Sequence, residues 1–366
     1  MQQVFIFVDN LKIGGYQRLA LDEAYEFSDS GYKVTIWILE DSRNGKSFQV
    51  IESNLIAEKE IIIKILPSDR ISMFFYLNKI FASFSALPLI MSHSLRATFV
   101  MRLLKIRFCL IINTKIHQIP KLSDPIQRLK RFLYAQFTDN LFCFSISVSN
   151  SWYQQFGYGS KILEAFSKDI KLLKNGVYLK RFPALPGVDQ RKKRIIFLGR
   201  LTFWKGLDVF QLLADHVELL DFDFVFVIPN CEQSSFVAMR EILGERLHII
   251  VGKSFGDLSL YPGDVHVYPA KYGDGVTKFE SISINCLEMA CLGIPSVVTK
   301  GGQLTWGDAG FTDIFYEVDW EDLDKVVLVI KEASEKRLSP SAVYHLREAF
   351  DIKNEVGYLI SQYNRQ

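Results

Sequence analysis

Two glutamates eight residues apart, Glu280 and Glu288, stand in the stretch of this chain richest in groups able to recognise a polyhydroxylated ligand. The first falls in a loop with glycines, and the second a turn or more into a helix expected to start near Ser283. Carboxylates accept hydrogen bonds from hydroxyls, and a helix start offers backbone N–H groups to an anion. Sugar hydroxyls and a phosphate suit that pairing. Upstream, Arg200 leaves the end of an expected strand and Lys205 precedes the next helix, with Gly199 and Gly206 on either side. Ligands of open α/β sheets bind beyond the carboxyl ends of the strands, so both cations are expected in the crevice, where they would neutralise a diphosphate. Near the start, Gly14 and Gly15 separate a strand from a helix. Such a turn lets N–H groups approach a phosphate, and it serves equally as a tight connection.

The histidines divide by position. His117 follows an expected strand at its carboxyl end, where a functional role is expected. His93 lies in Ser92-His93-Ser94, which either faces a ligand or caps the following helix. His248 and His266 fall within apolar strands and read as structural. Asp221-Phe222-Asp223 has the form of a metal-diphosphate motif but precedes its strand, at the wrong end of a sheet for a ligand.

The elements that must position these groups are short apolar, β-branched runs alternating with amphipathic stretches, the pattern of βα units around parallel sheets. Expected strands are Val4–Val8, Val34–Leu39, Ile61–Ile65, Pro88–Met91, Phe108–Asn113 and Leu141–Val148 in the first half. The second half has Arg194–Gly199, Phe224–Ile228, Leu247–Val251, Val265–Pro269, Pro295–Thr299 and Ile314–Glu317. Between them, the prolines, glycine and basic cluster of 182–194 interrupt the periodicity as a linker does, with a boundary near residue 187. A chain of 366 residues with 49% hydrophobic and 23% charged residues has room for two cores.

With 43 basic against 41 acidic residues there is no general field for nucleic acid. The five cysteines form no C-x-x-C pair, so a reduced, cytoplasmic protein is expected. The start, MQQVFIFVDN, reads as a strand and not as a secretory signal. The most apolar window, Ile71 to Met91, contains Asn78, Lys79 and Pro88 and reads as a helix followed by a buried strand rather than a membrane span.

Six motifs in order resemble those of the family 4-like, retaining GT-B glycosyltransferases. They are the Gly14-Gly15 turn, Ser92-His-Ser-Leu-Arg96, Ile116-His117, Asn175-Gly-Val177, Gly199-Arg200-x5-Gly206 with Lys205 inside it, and Glu280-x7-Glu288 followed by Ala290, Gly293 and Pro295. The resemblance implies two Rossmann-like parallel-sheet α/β domains facing a central cleft. Residues 1–186 would bind the acceptor and 187–348 the nucleotide-sugar, with a C-terminal helix in 349–366 packing back on the first domain. It implies that Glu280 binds the donor sugar and Glu288 the ribose, while Arg200 and Lys205 neutralise the leaving diphosphate. Backbone N–H groups near Gly15 and at Ile284–Asn285 would assist, and His117 would lie close to the reacting carbon. Ser281 and Ile282 complete the donor set, and Tyr16, Arg18, His93 and Arg96 are the acceptor candidates. Ser281 stands where many relatives have glycine, and the 271–279 loop is longer than usual, so both bear on donor choice.

The expected activity is retaining transfer of a sugar from a nucleotide-diphosphate donor to a hydroxyl of a saccharide or lipid-linked glycan, in bacterial surface polysaccharide synthesis. Neither cofactor nor metal is expected. A nucleotide-sugar 2-epimerase and a non-catalytic GT-B partner are the alternatives. Basic residues interleaved with apolar ones (Arg96, Arg102, Lys105 and Arg107, then Lys121, Arg128, Lys130 and Arg131) suggest peripheral docking on an anionic membrane.

Overall fold

A computed structural model describes residues 2–11, 15–39, 53–116, 139–143, 170–173, 175–182, 193–199, 205–228, 236–251, 260–270, 283–300 and 313–364. The chain forms two compact units, residues 1–178 with 352–366, and residues 179–351. The division falls between Tyr178 and Leu179, ahead of the boundary expected near residue 187.

In unit 1 the order is β1 (Gln3–Val8), α1 (Gly15–Asp29), β2 (Lys33–Ile38), α2 (Ser53–Glu58), β3 (Ile62–Ile65), α3 (Arg70–Phe81), β4 (Leu89–Ser92) and α4 (Leu95–Phe108). Then come β5 (Ile112–Ile116), β6 (Asn140–Cys143) and β7 (Ile170–Leu172). All pairings are parallel, in the order β3-β2-β1-β4-β5-β6-β7. Alternation along β1 sends Val4, Ile6 and Val8 into one core and Phe5 and Phe7 into another. The first core packs under α1, and the second, with Trp37, under α3 and α4. Burial on both faces is why these strands read as continuous apolar runs. The edge strand β3 shows the exception, with Lys64 and Ile65 exposed.

Unit 2 runs from β8 (Arg194–Leu198), α5 (Leu207–Ala214) and β9 (Asp223–Ile228) to α6 (Val237–Leu243), β10 (Leu247–Val251) and β11 (Val265–Tyr268). It continues with α7 (Ile284–Cys291), β12 (Ser296–Thr299), β13 (Phe315–Val318), α8 (Leu323–Glu335) and α9 (Pro340–Phe350). Its parallel sheet has the order β10-β9-β8-β11-β12-β13. Phe197, Phe210, Phe226 and Phe236 interlock in its core, with successive ring centroids 5.0–5.8 Å apart.

The strand expectations need two corrections. The run 108–113 was expected to be extended, but α4 continues through Phe108 and ends on Cys109 in the left-handed conformation (φ 52°). That cap must be completed before β5 can begin at Ile112. The short β7, Ile170–Leu172, was not expected, because three residues carry too little periodicity to register. The 71–91 window forms α3 and β4, and among the described residues no helix is long and apolar enough to cross a membrane.

The last helix, α10 (Ile352–Asn364), belongs to unit 1, where Ile352, Val356 and Leu359 join the core beside α1. A buried ionic chain fastens it. The Lys115 ammonium, on β5, donates to Glu23 of α1 at 3.3 Å and to Glu355 of α10. The second Glu355 oxygen accepts from the Gly176 N–H at 3.2 Å, and the Ile352 N–H donates to the Val177 carbonyl. The Asn175-Gly-Val177 run is thereby stitched to the C-terminal helix. Burial pushes the Glu355 carboxyl up to about 8, with Glu23 adding to the rise and Lys115 opposing it. Burial also raises Glu23, but His93 and Lys115 more than offset it and hold that carboxyl well below the usual range.

Removing the central cation leaves the buried Glu23 carboxylate without one of its cations and the buried Glu355 carboxyl without its donor, so Lys115→Met should cost about 3–5 kcal/mol in chemical unfolding. Glu355, whose folded pKa lies above its unfolded value, contributes stability that is complete below about pH 4.5 and is lost as pH rises through about 8. Glu355→Gln should therefore flatten the decline in thermal midpoint across that window. Parallel wild-type and variant profiles would refute the assignment.

Candidate functional site

In unit 2 the strand order reverses between β8 and β11, which pair with each other while their following helices leave to opposite faces. A crevice opens at the carboxyl ends of two such strands. The amino ends are clamped: the Arg194 guanidinium grips Asp264 with Nε–Oδ1 2.8 Å and an Nη2–Oδ2 contact of 2.5 Å. At the carboxyl ends the chain instead collects Gly199, Lys205, Gly206, Tyr268, Ser283 and Asn285.

Each position follows from local structure. Along β11, Val265 and Val267 enter the core beneath α5, α6 and α8. His266 and Tyr268 therefore take the other face, where the His266 ring meets the Ser296 hydroxyl at 3.0 Å. Lys205 lies just before α5, its ammonium donating to the Tyr268 hydroxyl and standing 4.3 Å from the ring centroid. The next residue, Gly206, has φ 71°, and a Cβ there would lie 2.3 Å from the Pro269 carbonyl oxygen. Only glycine permits so close a crossing of the two strand ends. Across the switch point, the Asn285 side-chain amide donates to the Leu198 carbonyl at 2.8 Å, tying the start of α7 to the end of β8. Ser283 caps α7 by accepting from the Asn285 N–H at 3.4 Å. Cys286 and Leu287 turn their N–H groups back to the Ser283 carbonyl and Asn285 N–H is held by the Ser283 hydroxyl, which leaves that of Ile284 outermost at the positive helix end.

Charge here is set by burial. Burial first, and the Lys205 charge second, lower His266 to about 3, so its imidazole is neutral at ordinary pH. Burial likewise pushes the Cys286 and Cys291 thiols up to about 12, which makes them packing groups and not nucleophiles. Lys205 is thus the cation that the described part of the switch point presents, backed by a helix start.

Of the expected donor residues, the structure brings together Lys205, Ile284 and Asn285. Arg200, Glu280, Ser281 and Ile282 lie outside the described residues, as do Gly14 and His117. Glu288 lies a turn into α7, as expected from its spacing. All of α7 except Asn285 is buried, and the Glu288 carboxylate pairs with Arg181. Gly15 opens α1, and Tyr16 and Arg18 follow in its first turn. His93 is placed inward: its side chain has no exposed surface, and Nε2 pairs with Glu23 at 2.8 Å, so it joins the buried chain described above. Its neighbour Ser94 caps α4, accepting from Ala97 N–H at 3.3 Å and donating to Asp9 at 2.6 Å. Arg96 donates to the Ser68 carbonyl. Asp223 opens β9 at its amino end and faces His248 at 3.5 Å.

Two residues of this region escaped the sequence reading. Tyr268 could have been found as the last residue of a strand beside the switch point, where a side chain reaches the crevice. Arg181 carries no such signal, because its pairing with Glu288 joins positions over a hundred residues apart.

Compared by sequence, the chain matches no family model and no curated protein. Compared by structure, it is similar to HepE from Anabaena, solved with UDP-glucose, over 100% of both chains at 13% identity and a TM-score of 0.70. A glycosyltransferase from Rickettsia africae aligns with 100% of this chain and 98% of its own at 12% identity and a TM-score of 0.68. The lipopolysaccharide outer core galactosyltransferase WaaB aligns over 99% of this chain and 100% of its own, at 12% identity and a TM-score of 0.60. At such identities the likeness establishes the fold: two Rossmann-like parallel-sheet domains of the GT-B type.

The Lys205–Gly206 turn offers a direct check. Gly206→Ala must displace Pro269 or the turn itself, so it should cost at least about 1–3 kcal/mol, read as a lowered thermal midpoint. An unchanged midpoint would show that the turn is looser than described.

Proposed function

We propose that the chain is a nucleotide-sugar glycosyltransferase. It moves a sugar, with retention of configuration, from a nucleotide-diphosphate donor to a hydroxyl of a saccharide or lipid-linked glycan, as in bacterial surface polysaccharide assembly. The observation that carries this reading is the placement of Lys205 over Tyr268, beside the N-terminus of α7, at the switch point of unit 2. A diphosphate is the ligand matched by a cation, an outward N–H group and a helix dipole together. That GT-B proteins similar to it include structures solved with UDP and UDP-glucose supports the same donor class.

In this reading Lys205 and Arg200 neutralise the charge that builds on the diphosphate as the bond to the sugar carbon breaks, and the Ile284 N–H binds one of its oxygens. Such preorganised charge is worth several kcal/mol at the transition state, of order 10²–10³ in rate for one donor. Glu280 holds the sugar by accepting from its hydroxyls. The acceptor hydroxyl forms the new bond on the face the diphosphate leaves, and its proton passes to the departing phosphate oxygen, so no protein nucleophile is required. The family resemblance assigns His117 a place close to the reacting carbon. Glu288 accepts from the ribose hydroxyls.

Lys205→Ala and Glu280→Ala should each lower acceptor-dependent nucleotide release about 10²–10³-fold while the protein stays folded. Near wild-type rates in either would reject the site. UDP at a hundred times its dissociation constant should stabilise the wild type by about 2.7 kcal/mol, and Lys205→Ala less. Because protein cations neutralise the leaving group, turnover should survive excess EDTA. Loss that manganese restores would move the charge neutralisation to a metal.

A further inference from the structure

Unit 1 carries a surface that the donor chemistry does not use. Helices α3 and α4 lie side by side over the aromatic core and run in the same sense. The Arg70 guanidinium stands 5.5 Å from the Phe99 ring centroid near their starts, and Arg107 donates to the Asn78 side-chain oxygen at 2.8 Å near their ends. Their inward positions are filled by Met73, Leu77 and Phe81 from α3, and by Ala97, Val100, Met101 and Leu104 from α4. The outward positions of an amphipathic helix should then be polar. They are not. On α3 the outward row is Ile71, Phe75 and Lys79, with Ile71 72% and Phe75 64% exposed. On α4 it is Arg96, Phe99, Leu103 and Arg107, with Leu103 44% exposed. Residues three or four apart share a helix face, so each row is one continuous stripe.

The charges around these stripes have one sign. From 61 to 110 the chain holds seven lysines and arginines and a single acid, Asp69, although the whole chain is nearly balanced at 43 to 41. Asp69 accepts from the Ser72 N–H at 2.7 Å as the cap of α3, so it is committed to the helix end. Lys105 pairs with Asp139, outside this stretch, whereas Lys79, Arg96 and Arg107 border the stripes. An apolar ridge bordered by cations is complementary to a surface that is apolar below and anionic above, which describes the headgroup layer of a bilayer carrying acidic lipid. A protein partner would need a concave apolar groove lined by carboxylates, a narrower match for two convex parallel helices.

We propose that the α3–α4 face docks unit 1 on an anionic membrane, with Ile71, Phe75, Phe99 and Leu103 entering the headgroup boundary and Lys79, Arg96 and Arg107 meeting lipid phosphates. This surface rests on unit 1 alone and stands whether or not the donor reading holds. The full chain should sediment with vesicles of phosphatidylcholine mixed with phosphatidylglycerol, much less with phosphatidylcholine alone, and less as salt rises. Ile71→Ser with Phe75→Ser should reduce partitioning at least about tenfold. Lys79→Glu with Arg107→Glu should do the same, since each basic residue near such a surface contributes a similar share. All four positions are at the surface, so an unchanged thermal midpoint, and unchanged stabilisation by UDP where the wild type shows it, will show that the fold and the donor site are intact. Equal partitioning of variants and wild type, or no binding to the mixed vesicles, overturns the proposal. So does a concentration-dependent dimer that the Ile71→Ser, Phe75→Ser variant abolishes without any vesicle binding, since the occupant is then a second copy of the chain.

Discussion

A parallel sheet buried on both faces can keep its polar chemistry only at the strand ends, and this constraint organises both units. The strands are covered by helices on either side, so their side chains are spent on packing, as the alternation of Val4, Ile6 and Val8 against Phe5 and Phe7 illustrates. What remains are the loops at the carboxyl ends, which open where the strand order reverses. In unit 2 that place is beside β8 and β11, and it is there that Lys205, Tyr268, Asn285 and the start of α7 meet. The amino ends of the same strands show the contrast, since Arg194 is consumed by Asp264.

Where unit 1 does bury charge, it does so in compensated form. Lys115 lies between Glu23 and Glu355, with His93 on the far side of Glu23, and these four side chains come from β5, α1, α10 and the turn after β4. A buried pair of this kind contributes little net stability when intact and costs much when one member is removed. Its effect is on placement, because α10 reaches unit 1 only after the whole of unit 2 has been traversed. The carboxyl group of Glu355 and the turn at Gly176 and Val177 hold that late-arriving helix to the point where the chain first leaves the unit.

The same network sets the placement of His93. A histidine between two serines before a helix has the look of a ligand contact, and nothing in the local sequence marks Glu23 as its partner. Ser94 was legible as a cap because a cap is a relation between near neighbours. Glu288 differs in the same way: its spacing from Glu280 and its place in a helix are local facts, whereas its pairing with Arg181 joins two distant stretches. β5 starts later than its apolar run suggests for a local reason, the left-handed cap at Cys109.

The amino-acid sequence by itself determined the two series of βα units, the apolar runs that become strands, and the assignment of cations and glycines to the strand ends. Each of these depends on periodicity or on a few adjacent residues, which the order of residue types records directly. Tertiary structure decided the strand order, the place where each sheet reverses, and which charged side chains face each other. It put Tyr268 under Lys205 and sent His93 inward to Glu23. It also left Ile71 and Phe75 outward beside a row of cations. Those outcomes depend on which distant segments share a core, and burial, not spacing, selects them.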